Sequence, residues 1–190
     1  MNEPQHTVSP QLERVIAEMD LATEKASAVV NGLTEEQLKQ RVDPNSWSVA
    51  ECIVHLNMTS KEYLPLLDKA LESAGQEGRT QKLKMDLVGR MLKWSLEPPA
   101  RLKVKTTNQF QPQDVEPIGE LLTTFANLQE QLKARIQKAD NLSIDKVKIT
   151  SPFNDRVKYN LFSAFQILVA HERRHLWQAE QVRKAIEKTK

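Results

Sequence analysis

Glycine is scarce in this 190-residue chain, with five in all, and cysteine is scarcer, with Cys52 alone. So few glycines exclude a turn-rich β sandwich, and a charged fraction of 27% fits a helical protein. A lone cysteine excludes an intrachain disulfide and fits a reducing compartment. An excess of one charge is also missing. The formal net charge is +2, and basic and acidic residues interleave without forming a block. Nucleic-acid binding therefore has no electrostatic footprint here. No apolar run is long enough to span a membrane. The opening MNEPQHTVSP lacks the basic-then-apolar pattern of a signal peptide. The expectation is a soluble, cytoplasmic protein, with one domain over residues 1–190.

What is present is helical periodicity. Leu12, Val15, Ile16, Met19, Ala22, Ala26, Val29 and Val30 recur at helical spacing between Ser9-Pro10 and Gly32, a start signal and a stop signal. TEEQ at 34–37 is a capping box for a short helix. Ser48 and Glu51 form another, with Trp47 just outside as a staple. They open a second long helix with Ile53, Leu56, Leu64, Leu67 and Leu71 inward, Pro65 as a kink or break, and Gly75 near its end. KMDLVGRMLKWSL predicts a shorter amphipathic helix that stops at Pro98-Pro99, and RLKVKTTNQFQPQDVEP reads as extended. A third long helix should run from Pro117 to about Ala139. DNLSIDKVKITSPFND reads as a connection into a fourth, from near Asn160 to about Lys188. The expected fold is all-α: a four-helix bundle whose long 76–115 connection permits a crossover between the second and third long helices.

The chemistry is concentrated in AHERRHLWQAEQ, residues 170–181, which matches the H-E-x-x-H signature of zinc proteases. The protease reading fails on its neighbours. A third ligand normally lies downstream, and the fifteen residues after His175 belong to the same helix. Arg173 and Arg174 would set two guanidinium groups beside the ion. Geometry offers other readings. At about 100° per residue, His175 lies about 40° from His171, and Ala164, Ile167, Leu168 and Val182 fall on the same side. The histidines therefore interrupt the apolar stripe. Either they are core imidazoles satisfied by hydrogen bonds, or a shared metal satisfies both.

A third imidazole would have to come from upstream, where His6 stands near the terminus and His55 lies on the second long helix at the edge of its stripe. Three imidazoles plus an open position are the ligand set of a catalytic metal site. That set suits Zn²⁺, and also Ni²⁺, Co²⁺ and Fe²⁺. Gln178 falls about 20° from His171 and could orient a ligand, as could Glu172, although a solvated charge is the expectation for Glu172. Cys52, one turn before His55, could approach the metal but reads better as a small buried hydrophobe. Arg174, about 60° from His171, flanks the face and could meet an anionic substrate, whereas Arg173 faces away. Trp177 is expected on the outer side. Glu62 could line a pocket but reads better as a surface carboxylate.

Together these segments resemble the DinB-like superfamily. WSVAECIVHL (47–56) resembles its second-helix signature and HERRHLWQAE (171–180) its last-helix signature. NGLTEEQL, RLKVKTTNQFQP and SPFNDRVKYNL are also similar to it. The resemblance implies a four-helix bundle with up-down-down-up topology. It also implies a divalent metal on His55, His171 and His175, and for some members thiol-dependent S-transfer or isomerisation with a low-molecular-weight thiol.

The leading expectation is a metal-dependent enzyme, a thiol-dependent S-transferase or hydrolase acting on a small molecule. Its metal would be Zn²⁺ or Ni²⁺ and would activate a thiol or water. The alternative is a non-catalytic helical stress or interaction protein with a structural or vestigial metal. No nucleic-acid or membrane partner is expected, and an exposed bundle face could support a homodimer.

Overall fold

The computed structural model describes residues 8–76, 82–99, 110–112 and 117–188. Four long helices carry the fold: α1 (Pro10–Val30), α3 (Val49–Ser73), α5 (Ile118–Lys138) and α6 (Leu161–Lys188). Two short ones accompany them, α2 (Glu35–Lys39) and α4 (Leu87–Leu96). The expected all-α class needs one correction. The stretch read as a connection contains an antiparallel hairpin, β1 (Lys148–Ser151) and β2 (Asn154–Asn160), with Ile149 opposite Tyr159.

The caps work largely as their residues dictate. Thr34 and Gln37 close a reciprocal capping box on α2, and Ser48 and Glu51 close one on α3. Each box satisfies two main-chain donors that the helix cannot satisfy itself. Glu51 is further gripped by Arg41. Ser9 stands at the start of α1 without a side-chain cap bond; its amide donates to Asp140 Oδ1 instead. Gly32 takes the left-handed conformation (φ 79°) just past the end of α1. α3 ends at Ser73, before Gly75, and runs through Pro65 without a break. The stretch 101–109, expected to be extended, lies outside the described residues, as does His6.

α1 and α3 each pack against both α5 and α6, so the four long helices form a closed ring around the core. α4 leans on α6, and the hairpin packs against α3, α4 and α6. The apolar interior falls into two clusters. One holds Ala22, Ala26, Ile53, Leu56, Leu121, Phe125, Leu176 and Ala179. The other holds Val15, Met19, Tyr63, Leu67, Leu132, Ile136, Phe165 and Leu168. Between them, in sequence and in space, lies a layer of buried polar side chains. It comprises Asn57, Thr59 and Ser60 on α3, Gln129 on α5, and His171, Glu172 and His175 on α6, with His55 at its edge. Buried polar groups cost stability unless they find partners, so this layer is where a function should be sought.

Candidate metal centre

His55 is on the second turn of α3, and His171 and His175 are on successive turns of α6. α3 and α6 pack against each other, so the three rings meet. One nitrogen from each lies within 4.8 Å of the other two. His55 Nε2 is 3.1 Å from His171 Nε2, and the His175 ring centroid is 4.4 Å from that of His55 and 4.5 Å from that of His171. All three are buried, at 1%, 6% and 7% exposure.

The remaining ring nitrogens explain how the rings are held. His55 Nδ1 donates to the main-chain carbonyl of Phe110 at 2.9 Å. His175 Nδ1 donates to Gln178 Oε1 at 3.2 Å. An imidazole that gives up its Nδ1 proton to a carbonyl oxygen keeps its Nε2 lone pair free when neutral. Two of the three histidines thus present lone pairs to a common centre. His171 Nδ1 is buried with no hydrogen-bond partner among the described residues. Burial also keeps the rings neutral. It lowers the His55 pKa to about 4, with the Phe110 carbonyl pulling slightly the other way. His171 and His175 are pushed well below the ordinary range, first by burial, then by neighbouring imidazoles and the positive charge of Arg174. Neutral imidazoles aimed at one point, without enough partners of their own, fit a divalent cation.

Aromatic rings wall the cluster. Trp47 stacks on His175 at 5.5 Å with planes 28° apart and lies 4.8 Å from His55. It is thus more than the staple its position predicted. Phe153, at the hairpin turn, lies 5.5 Å from His171 and 6.5 Å from His55, and packs on Phe110 at 4.4 Å. Sequence reasoning passed over both phenylalanines: each is a lone aromatic in a polar stretch, and only the hairpin brings Phe153 to α3 and α6.

Three of the other candidates are placed differently from one another. Cys52 is fully buried in the apolar cluster with Ile53 and Leu56, and burial pushes its thiol far above the ordinary range. It is not among the three converging ligands. Glu62 is exposed. Arg174 donates to the Ser95 carbonyl at 3.3 Å and remains half-buried, close enough to depress both α6 histidines.

Glu172 requires a correction. The sequence placed it at the edge of the stripe as a solvated charge, yet it is 1% exposed. α6 is enclosed by α1, α3 and α4, so a residue about 100° from His171 is still interior. Its Oε1 accepts from Gln129 Nε2 of α5 at 2.7 Å, while Oε2 is unpartnered among the described residues. Burial raises its pKa to about 7, against the smaller opposing pulls of Gln129 and Arg173. The carboxylate is thus committed to α5, unlike the general base of an H-E-x-x-H protease. Arg173, as expected, looks outward, where Glu97 and Glu18 both engage it.

No curated protein matches the sequence. Among solved structures, YfiT from Bacillus subtilis superposes with a TM-score of 0.62 at 15% identity, covering 96% of this chain and 92% of its own. That protein is described as a probable metal-dependent hydrolase with an unusual four-helix bundle topology. At that identity the likeness establishes the fold, a mostly helical four-helix bundle. The family model of the DinB superfamily matches residues 18–179, most of the chain, and the protein belongs to that superfamily.

Proposed function

We propose that this chain is a divalent-metal-dependent enzyme acting on a small molecule, with His55, His171 and His175 holding the metal. The observation that carries the reading is the convergence of three neutral imidazoles, two of them fixed through Nδ1 by carbonyl oxygens. A divalent cation held there supplies Lewis acidity, which lowers the pKa of a water or thiol placed against it. Zn²⁺ or Ni²⁺ fits the all-imidazole donor set.

The chain's own residues do the rest. The Phe110 carbonyl and Gln178 fix ring orientation and tautomer, so the site is organised before substrate arrives. Trp47, Phe110 and Phe153 keep bulk water from the cluster. Arg174 places a cation beside the two α6 histidines, where it favours an anionic group such as a thiolate or carboxylate. Hydrolysis is one reaction class consistent with this arrangement. Transfer of a low-molecular-weight thiol to an electrophile is the other, and needs no nucleophile from the protein. Nucleic acid is not part of the reading. A single cysteine, Cys52, is in keeping with a cytoplasmic setting, and no helix among the described residues is long and apolar enough to cross a membrane.

The chain path belongs to the same proposal. The N-terminal halves of α3 and α5 share one apolar cluster with the C-terminal halves of α1 and α6. That supports up-down-down-up order, with the stretch between α3 and α5 crossing the bundle. A second reading, a structural or vestigial metal in an interaction protein, draws on the near-complete burial of the three histidines.

The test is metal content by mass spectrometry on untagged protein beside His175→Ala. About one Zn²⁺ or Ni²⁺ per chain, lost in the variant, is expected. A wild type that takes up neither ion would sink the proposal. A tightly bound ion that never exchanges, with no turnover of thiols or esters, would favour the second reading.

A further inference from the structure

The three histidines are not braced alike. His55 and His175 each donate through Nδ1 to a carbonyl oxygen, whereas His171 Nδ1 has no partner among the described residues. A ring held only at the nitrogen that faces the cluster can still pivot about it, and a metal ligand needs its plane fixed. Trp47 leans on His55 and stacks on His175. The ring set against His171 from outside the cluster is Phe153, with centroids 5.5 Å apart and planes at 45°. That separation lies within the range of attractive aromatic pairs.

We propose that Phe153 is a positioning residue of the metal centre: the hairpin tip lays its ring against His171 and so fixes the plane in which that ligand meets the ion. The inference rests on the metal-binding reading above. The hairpin is built to hold the ring in place. Ser151 pairs with Asn154 across a two-residue turn, Pro152-Phe153. Proline presets φ at the first turn position, and the Phe153 amide donates to Ser151 Oγ at 3.3 Å. The strand register breaks between Thr150 and Ser151, and an irregularity of that kind re-aims the residues beyond it.

The base of the hairpin is tied to the rest of the fold, so its tip has a fixed support. Tyr159 Oη and Tyr63 Oη of α3 lie 2.5 Å apart. The Asn160 amide donates to Asp86 Oδ2 at 2.9 Å, and Lys148 pairs with the same carboxylate. Phe153 also packs on Phe110 at 4.4 Å, and the Phe110 carbonyl accepts from His55 Nδ1. One ring thus backs two ligands, His171 by contact and His55 through the residue that orients it. Phe153 is itself only half-buried, so the fold leans on it less than on the deep core.

The test compares Zn²⁺ affinity, by chelator competition, among the untagged wild type, Phe153→Leu and Phe153→Tyr. Leucine keeps the apolar bulk and loses the flat ring; tyrosine keeps the ring. Phe153→Leu should weaken affinity roughly tenfold, the upper worth of an aromatic contact, and Phe153→Tyr should stay within about threefold of the wild type. Loaded with Co²⁺, Phe153→Leu should absorb more weakly in the visible, because a loosened tetrahedral site admits further ligands. Urea unfolding in chelator should differ little among the three, which separates positioning from packing. The effect should run through His171, so most of the loss should vanish when Phe153→Leu is made in a His171→Ala background. Equal loss in the leucine and tyrosine variants, or the same loss in both backgrounds, overturns the proposal. A wild type that takes up no metal removes the metal-binding reading and this inference with it. A wild type that binds Zn²⁺ no better than Phe153→Leu defeats this inference alone.

Discussion

The Glu172→Gln variant tests the reading of the polar layer most directly. In the folded protein the Glu172 carboxyl holds its proton up to about pH 7, against an ordinary 4.5. Below pH 4.5 the group is protonated in both folded and unfolded chains, and its full contribution to stability is present. Between 4.5 and 7 the unfolded chain gives up the proton while the folded chain keeps it, so stability falls. Above 7 both are ionised and the loss is complete. At about 1.4 kcal/mol per pH unit, that interval is worth about 3 kcal/mol. Glutamine has the same shape, can still accept from Gln129 Nε2, and has no proton to lose. In chelator, to remove metal linkage, the variant should gain about 3 kcal/mol over the wild type on going from pH 4.5 to 8, or roughly 6–12 °C in Tm for a chain of this size. The histidines and Arg173 are the same in both proteins, so their own pH dependence cancels in the comparison. Urea unfolding followed by circular dichroism at pH 5, 6, 7 and 8 gives the curve. An offset between the two proteins that stays constant from pH 5 to 8 would refute the reasoning: Glu172 would then not be the uncompensated buried carboxyl described here.

Three further outcomes follow from the site and its supports. Gln178→Ala should weaken metal affinity roughly 10- to 100-fold, read by chelator competition, with little change in folding, because it frees the His175 ring. Metal affinity should stay nearly flat from pH 8 to 6 and fall only in more acid solution, because burial keeps the histidines neutral; calorimetric titration at pH 6 and 8 would expose a drop of roughly 60-fold if all three imidazoles titrated normally. Ser48→Ala should cost about 1 kcal/mol by urea unfolding, the value of one helix cap.

The four long helices were legible in the sequence because each buries a broad apolar stripe between clear end signals. Ser48 with Glu51, and the run from Leu12 to Val30, speak for themselves. The hairpin was not. Ile149 and Tyr159 are the apolar residues it buries deeply, and two points do not make an alternation. Its consequence, Phe153 over His171, was hidden with it. The histidine pair was visible from its four-residue spacing, and His55 from its place beside the buried stripe of α3. Glu172 was misread because a helical wheel reports direction and not enclosure. On a helix with one neighbour, about 100° from the seam is solvent; on α6, with several, it is the centre of the bundle.

The acceptor that holds His55 belongs to the main chain. Every amino acid at position 110 carries the same carbonyl, so no side-chain substitution there deletes that hydrogen bond. An alanine scan would see Phe110 only as a packing residue and miss its part in orienting a ligand. What can disturb it is chain length: one residue gained or lost around 110 would carry the oxygen away from His55. The segment should therefore tolerate changes of identity, with some loss of packing, far better than changes of length.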